Sequence, residues 1–492
     1  MAVSNQKRHR LSKSKKREVR KRQARKARQT RQLLHRHYDH LPQHARSFWE
    51  LFSPCFRRPT FLRFAMLAVA AILTVGPHTV SNLLRTLGLL APGDPSSFHR
   101  FFSARRWSLL ALGHRLASWI LDRLVPTGPV LLAADDTVDE HPGDHVYGKG
   151  CHRDAVRSSH HHTAFRWGHK WLVVFVLVDV PGATRKWALP LFVVLVHSKK
   201  VDEAEGRRHK RPAQLLFQAV LVLKRWFPNR EFILTADGGF ACHQLTSKLA
   251  KRTGKITYVS RFYGNAALYD PPPPVQYKAN GKRATAGRSR VKGAKQDSPE
   301  QVVAKTEKRT RLSVGWYGGE MRRVAVVSGT GQWYKAAQGL VAVRWVFVQD
   351  VSGTHRDEYF YSTQVGMSAK QIIETYTQRW NVETTFQEMR SSLGLERTRG
   401  WKKETVLRVA PCLFGLYSVV VCLYLLTPAK YKEKAGVQWC GKRAGTFSDA
   451  LRAVRKWLWV EAIFSCAGQK ACFETLPEDF QDLVLNGLAP AA

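Results

Sequence analysis

Tyr376, Arg379, Glu383 and Arg390 are spaced so that a single helix would carry all four on one stripe. At about 100° per residue, with Tyr376 set at zero, Arg379 falls at about 300°, Glu383 at about 340° and Arg390 at about 320°. Val382, Phe386, Met389 and Leu393 cluster on the adjoining flank, while Glu374 and Glu388 fall on the opposite side. A carboxylate set between guanidiniums and a phenol suits a hard cation and phosphate oxygens. The bland alternative is a solvated face with an i,i+4 pair between Arg379 and Glu383. Two upstream segments weigh against it. The run 130–134 climbs into Asp135-Asp136-Thr137, and 231–236 climbs into Asp237-Gly238-Gly239, each reading as a short buried strand that ends in an acid. Two strand-end aspartates and a helix glutamate can converge on a pair of divalent cations, which is phosphodiester chemistry.

The spacing Tyr376-x2-Arg379-x3-Glu383, with a basic residue seven positions later and with Asp136-Thr137 and Asp237-Gly238 upstream, resembles the signature of DDE transposases of the insertion-sequence-four superfamily of bacterial mobile elements. The resemblance spans roughly residues 130 to 400. It implies an α/β fold with an RNase H-like core and a β-rich insertion between the second and third acids. It further implies two Mg²⁺ ions, or Mn²⁺ in their place, held by Asp136, Asp237 and Glu383, and DNA phosphates held by Tyr376, Arg379 and Arg390. The family's last basic position is usually lysine, so Arg390 keeps the charge but offers a planar fork. Adjacent strand residues point to opposite faces, and only one of Asp135 and Asp136 can face the metals. The family pattern, with the acid directly before threonine, favours Asp136. The implied partner is double-stranded DNA, both element ends and target, gripped by a homodimer. The implied reaction is cleavage at the ends followed by strand transfer of the 3′-hydroxyl. Two other classes are a catalytically inactive basic nucleic-acid-binding protein and a general metal-dependent nuclease. The first leaves the three acids without a purpose, since they weaken attraction to a polyanion.

Composition agrees with a polyanionic partner. Over 492 residues, 79 Lys and Arg face 37 acids, a net charge of +42. Residues 1–46 hold 16 Lys/Arg against Glu18 and Asp39, which is +14 and leaves about +28 for the rest. The eight cysteines are scattered without a C-x-x-C pair, which fits a reducing cytosol, and the expectation is a cytoplasmic, nucleoid-associated protein. Two apolar stretches, 61–75 and 411–426, fall short of about 20 residues and read as buried helices, so no membrane role is expected.

The elements that would position these residues follow in order. Residues 1–46 read as a basic disordered arm and 47–127 as a helical DNA-binding domain, with a possible helix-turn-helix from Thr79 to Leu110. Residues 128–262 read as the first part of the core, with a hairpin of 170–180 and 186–197, helices at 212–226 and 243–252, and a strand at 256–262. Residues 263–366 form the β-rich insertion, including a basic tract, 278–311, read as a DNA clamp. Trp316, Trp333 and Trp345 lie in the insertion and read as core packing, with stacking on a flipped base the alternative. Residues 367–400 carry the helix with Glu383, and 401–492 a helical C-terminal region. Cys151-His152, His160-His161-His162 and His169 match no tetrahedral zinc spacing and read as a DNA-facing loop, with Lys149, Arg153 and Arg157 beside phosphates.

Overall fold

The computed structural model describes residues 13–154, 157–158, 161–251, 256–275, 279, 290–433, 442 and 444–490. Six helices come first: α1 (Lys13–Asp39), α2 (Gln43–Glu50), α3 (Arg58–Leu73), α4 (Val80–Leu87), α5 (Ser96–Ser103) and α6 (Leu109–Leu124). The arm expected to be disordered is helix α1 from Lys13 onward. Charge alone argued for disorder, but Leu34 and Tyr38, one turn apart, are buried, and the Tyr38 ring meets Phe61 of α3 edge-on at 5.4 Å. Thr79 and Ser108 cap α4 and α6 through their hydroxyls.

The strands are β1 (Val130–Glu140), β2 (Gly150–Arg153), β3 (Phe165–Val178), β4 (Trp187–Val196), β5 (Phe232–Ala236) and β6 (Ile256–Arg261). After them come β7 (Leu268–Tyr269), β8 (Thr310–Gly315), β9 (Met321–Lys335), β10 (Gly339–Asp350) and β11 (Glu358–Ser362). The central order is β4-β3-β1-β5-β6, with β3 antiparallel to both β1 and β4, and β1, β5 and β6 mutually parallel. That is the order and sense of an RNase H-like core. Helices α7 (Lys199–Ala204), α8 (Pro212–Trp226) and α9 (His243–Lys251) make the crossovers, and parallel pairing of β1, β5 and β6 requires such connections. Where the end of β1 crosses β3, only glycine fits: a Cβ on Gly168 would lie 2.0 Å from the Asp139 carbonyl oxygen.

The β-rich insertion continues the core sheet. β11 pairs with β6 on one side and β10 on the other, and β9, β7 and β8 follow, with the short helix α10 (Pro299–Lys305) between β7 and β8. Residues 278 and 280–289 of the basic tract expected to act as a DNA clamp lie outside the described residues. The three tryptophans are buried in the insertion: Trp316, Trp333 and Trp345 are 5%, 6% and 2% exposed, which removes base stacking as their role in this conformation. The end of β10 is tied by Asp350, whose carboxylate accepts from Arg322, Ser352, Thr354 and the His355 backbone. Those bonds hold its carboxyl well below the ordinary range despite burial. Asp350→Ala is expected to destabilise the protein by about 1–3 kcal/mol, since it strands several donors and removes the carboxylate partner of the half-buried Arg322. With a lowered folded pKa, this contribution is present at neutral pH and lost as pH falls below the ordinary carboxylate range. Denaturant midpoints at pH 7 and at about pH 2, below the unfolded carboxylate range, check both statements.

The remaining helices are α11 (Ala369–Thr377), α12 (Asn381–Ser392), α13 (Lys403–Leu426), α14 (Ala429–Glu433), α15 (Phe447–Leu458), α16 (Lys470–Glu474) and α17 (Glu478–Leu488). The apolar stretch beginning at residue 411 is part of the 24-residue α13, which by length and composition is long enough to cross a membrane. Here it packs against β4 and α15, with Val420, Val421, Cys422 and Leu423 fully buried. It shares one apolar core with the N-terminal helices and the β1–β5 sheet.

Candidate active site

Strand β1 ends with Asp135, Thr137 and Asp139 on one face and Asp136 on the other. Ala134 pairs with Ala236 in the parallel β1–β5 ladder, so Asp135 and Asp237 leave the sheet side by side. Asp237 opens a 3₁₀ turn, and its carboxylate accepts from the Gly239 amide at 2.6 Å. Across these strand ends lies the segment carrying the tyrosine, arginine and glutamate. Arg379 Nη1 donates to Asp135 Oδ2 at 2.8 Å, and its Nη2 donates to Glu383 Oε1 at 3.1 Å. A single guanidinium thereby ties the β1 aspartate to the α12 glutamate.

The acid on β1 differs from the expectation. Asp136 is turned to the opposite face, where Lys170 Nζ of β3 lies 2.8 Å from its Oδ1; Asp135, not Asp136, faces Arg379 and Glu383. The adjacency of an acid to threonine carries no information about which face it occupies. Pleat alternation does, since α12 covers the Asp135–Thr137 face and Arg390 donates to the Thr137 hydroxyl.

The expected stripe is also modified. The helix is interrupted by a 3₁₀ turn, Gln378–Trp380, between α11 and α12. Three residues wound at about 120° rather than 100° swing Tyr376 by roughly 60° relative to Glu383. Tyr376 is 1% exposed, its ring tilted against Phe360 with centroids 4.5 Å apart in the core of the insertion, so its expected contact with a DNA phosphate is not available in this conformation. Its ring instead backs the guanidiniums of Arg379 and Arg261, at 5.8 and 5.9 Å. Arg379 is 7% exposed and engaged by two carboxylates, so it too is committed within the protein. Arg390, bonded to Glu396 at 2.7 Å and to Thr137, keeps over a third of its side chain open to solvent. Sequence reasoning missed Lys170, which strand register brings to Asp136, and Arg261, which the β6–β11 junction brings to Glu358 and the Tyr376 ring.

The electrostatics follow from crowding. Burial pushes Asp135 up to about 7; Arg379 opposes that, and Asp237 and Asp136 add to it. Asp136 is also raised by burial and by Asp237, against the pull of Lys170. Among the described residues, three or more ligand atoms lie mutually within 4.8 Å only at Asp139, His141 and His169, so the strand acids and Glu383 do not close on one ion. A pair of ions about 3.5–4 Å apart, each with oxygens at about 2.1 Å, accommodates ligands spread over roughly 8 Å. An all-oxygen donor set with Asp135 and Asp136 raised mainly by burial fits a hard divalent pair, whose charge would favour the ionised carboxylates.

Comparison with known proteins bears on the same residues. The family model described as DDE superfamily endonuclease matches residues 51–323, which include both strand-end acids. The model described as "Archaeal putative transposase ISC1217" matches residues 330–423, which include the α12 glutamate. No curated protein matches the chain. A solved structure, the piggyBac transposase synaptic complex with hairpin DNA, covers 88% of this chain and 77% of its own at 12% identity. Its TM-score of 0.39 is too low to establish a shared fold. Since the first model spans more than half of the residues, the chain belongs to the DDE superfamily endonucleases.

Proposed function

We propose that the chain is a transposase of the insertion-sequence-four type, cutting DNA at the ends of a mobile element and transferring the freed 3′-hydroxyl into target DNA. The observation that carries this reading is the Asp135–Arg379–Glu383 bridge beside Asp237, at the ends of the parallel strands β1 and β5. Asp135, Asp237 and Glu383 would hold Mg²⁺ or Mn²⁺, with Asp136 beside them on the opposite face. When bound, the ions supply an activated water or 3′-hydroxyl and stabilise the leaving oxygen. The chain's own groups do the rest. Arg379 neutralises Asp135 and Glu383 and fixes the α12 register, and Tyr376 supports Arg379 from behind. Arg390, partly open to solvent, meets a phosphate flanking the scissile bond. The charge of +42 draws the duplex in. The enzyme would act as a homodimer, so that two element ends are processed together, on chromosomal DNA at the nucleoid in a bacterial cytoplasm.

The test is a supercoiled-plasmid assay with the element's inverted repeats. Nicking and joining are expected in Mg²⁺ or Mn²⁺ and not in EDTA, and only where the repeats are present. Cleavage indifferent to the repeats would instead indicate a general nuclease, and no cleavage in either cation would remove the enzymatic reading.

A further inference from the structure

Four residues beyond Asp135, on the same face of β1 and about 13 Å further along at the rise of a strand, lies a second set of ligand-bearing side chains. Asp139 is directly opposite His169 in the β1–β3 ladder, and His141 follows Asp139 by two residues, continuing the pairing through its amide to the Trp167 carbonyl. Strand alternation therefore delivers all three to one face, and their ligand atoms lie within 4.8 Å of one another. They are 1%, 5% and 1% exposed.

The polar atoms are close together but do not satisfy one another. His141 Nε2 and Asp139 Oδ2 are 3.3 Å apart, yet His141 Nε2 and both Asp139 carboxylate oxygens are without a hydrogen bond of ordinary geometry. A separation of about 3.3–3.4 Å is the edge of a tetrahedron whose N and O ligands stand about 2.0–2.1 Å from its centre. His169 Nε2 lies 2.8 Å from the Tyr147 carbonyl oxygen, so Nε2 carries the proton and Nδ1 keeps the lone pair. A ring nitrogen anchored to a backbone carbonyl is the usual support of a metal-bound imidazole.

We propose that Asp139, His141 and His169 form a transition-metal site, taking Zn²⁺ through two imidazole nitrogens and one carboxylate oxygen, separate from the hard-cation site of the catalytic acids. The mixed nitrogen and oxygen donors select a borderline cation such as Zn²⁺ over Mg²⁺. Its position, joining the end of β1 to β3 beneath the segment from Thr398 to Ala410, makes it a clamp on the strand that carries Asp135. The competing arrangement is a direct His141–Asp139 pair and no ion.

Metal analysis of the untagged full-length protein after zinc exposure and dialysis decides between them. About one zinc per chain is expected, retained in Glu383→Gln and in Asp135→Asn, and lost in the double variant Asp139→Asn with His169→Gln. Co²⁺ loaded in place of zinc is expected to give the intense visible absorption of a low-coordinate site, which Mg²⁺ does not displace. That spectrum is read on the wild-type chain, so it stands even where the double variant fails to fold. Zinc at the level of a protein without the site, together with no cobalt spectrum, would overturn the proposal whatever the outcome of the cleavage assay.

Discussion

Asp135→Asn is expected to lower metal-dependent DNA cleavage by roughly 10³-fold or more, and Glu383→Gln by a similar factor, the scale on which enzymes lose a group at the reacting centre. Asp136→Asn is expected to cost only about tenfold, through Lys170 and the local charge. The contrast follows from the sheet. Asp135 shares Arg379 with Glu383, while Asp136 lies across the strand against Lys170. Both single variants keep the strand intact, because asparagine preserves the shape of aspartate and removes only the charge. Binding to a duplex carrying the inverted repeats, measured by gel shift, should stay within a few-fold of the wild type for all three, since +42 is little altered by one unit. A dead Asp136→Asn beside an active Asp135→Asn would return the first acid to the position that the family pattern suggested.

The core strands and the glutamate helix were legible in the sequence because each leaves a local mark, whereas the RNase H-like arrangement of the sheet came only from the family resemblance. Buried strands such as 130–134 and 232–236 are unbroken apolar runs that stop at an acid, and α8 from Pro212 to Trp226 begins at a proline and ends in basic residues. What escaped depends on geometry that no window of sequence contains. The facing of Asp135 against Asp136 is a phase within one strand, set only when α12 is laid on it. The 3₁₀ turn at Gln378–Trp380 has no proline or glycine to announce it, so a continuous helix was the natural reading. Helix α1 was misjudged because its charge dominates its composition, whereas two residues, Leu34 and Tyr38, decide its docking. The Asp139–His141–His169 set was invisible as a motif because its members reach one another across the β1–β3 register, not through spacing along the chain.

Arg379→Ala is expected to be the most disruptive single change at the site, in both stability and pH response. Removing a buried guanidinium from two carboxylates costs about 3–5 kcal/mol where the remaining charge stays unpaired. The loss here is smaller at low pH, because Asp135 can take up a proton instead. Its folded pKa is already raised to about 7 from an ordinary value near 3.8. A carboxyl raised on folding contributes stability that is fully present below its unfolded pKa and is lost as pH rises through the folded one, so for the metal-free wild type the window is about pH 4 to 7. Taking away Arg379, the main opposing charge, lifts that upper limit further. In EDTA, thermal midpoints of Arg379→Ala should therefore match the wild type most closely near pH 5 and fall furthest below it above pH 8. Divalent cations need the ionised carboxylate, so the acid limb of the cleavage profile should move to higher pH by about one unit, with a higher Mg²⁺ requirement at pH 7. Arg379→Lys separates charge from geometry: an ammonium can restore part of the pH profile but cannot reach Asp135 and Glu383 at once with a planar fork, so it should regain stability before it regains cleavage. An acid limb unmoved in Arg379→Ala would mean that Asp135 is not the group whose ionisation admits the metal.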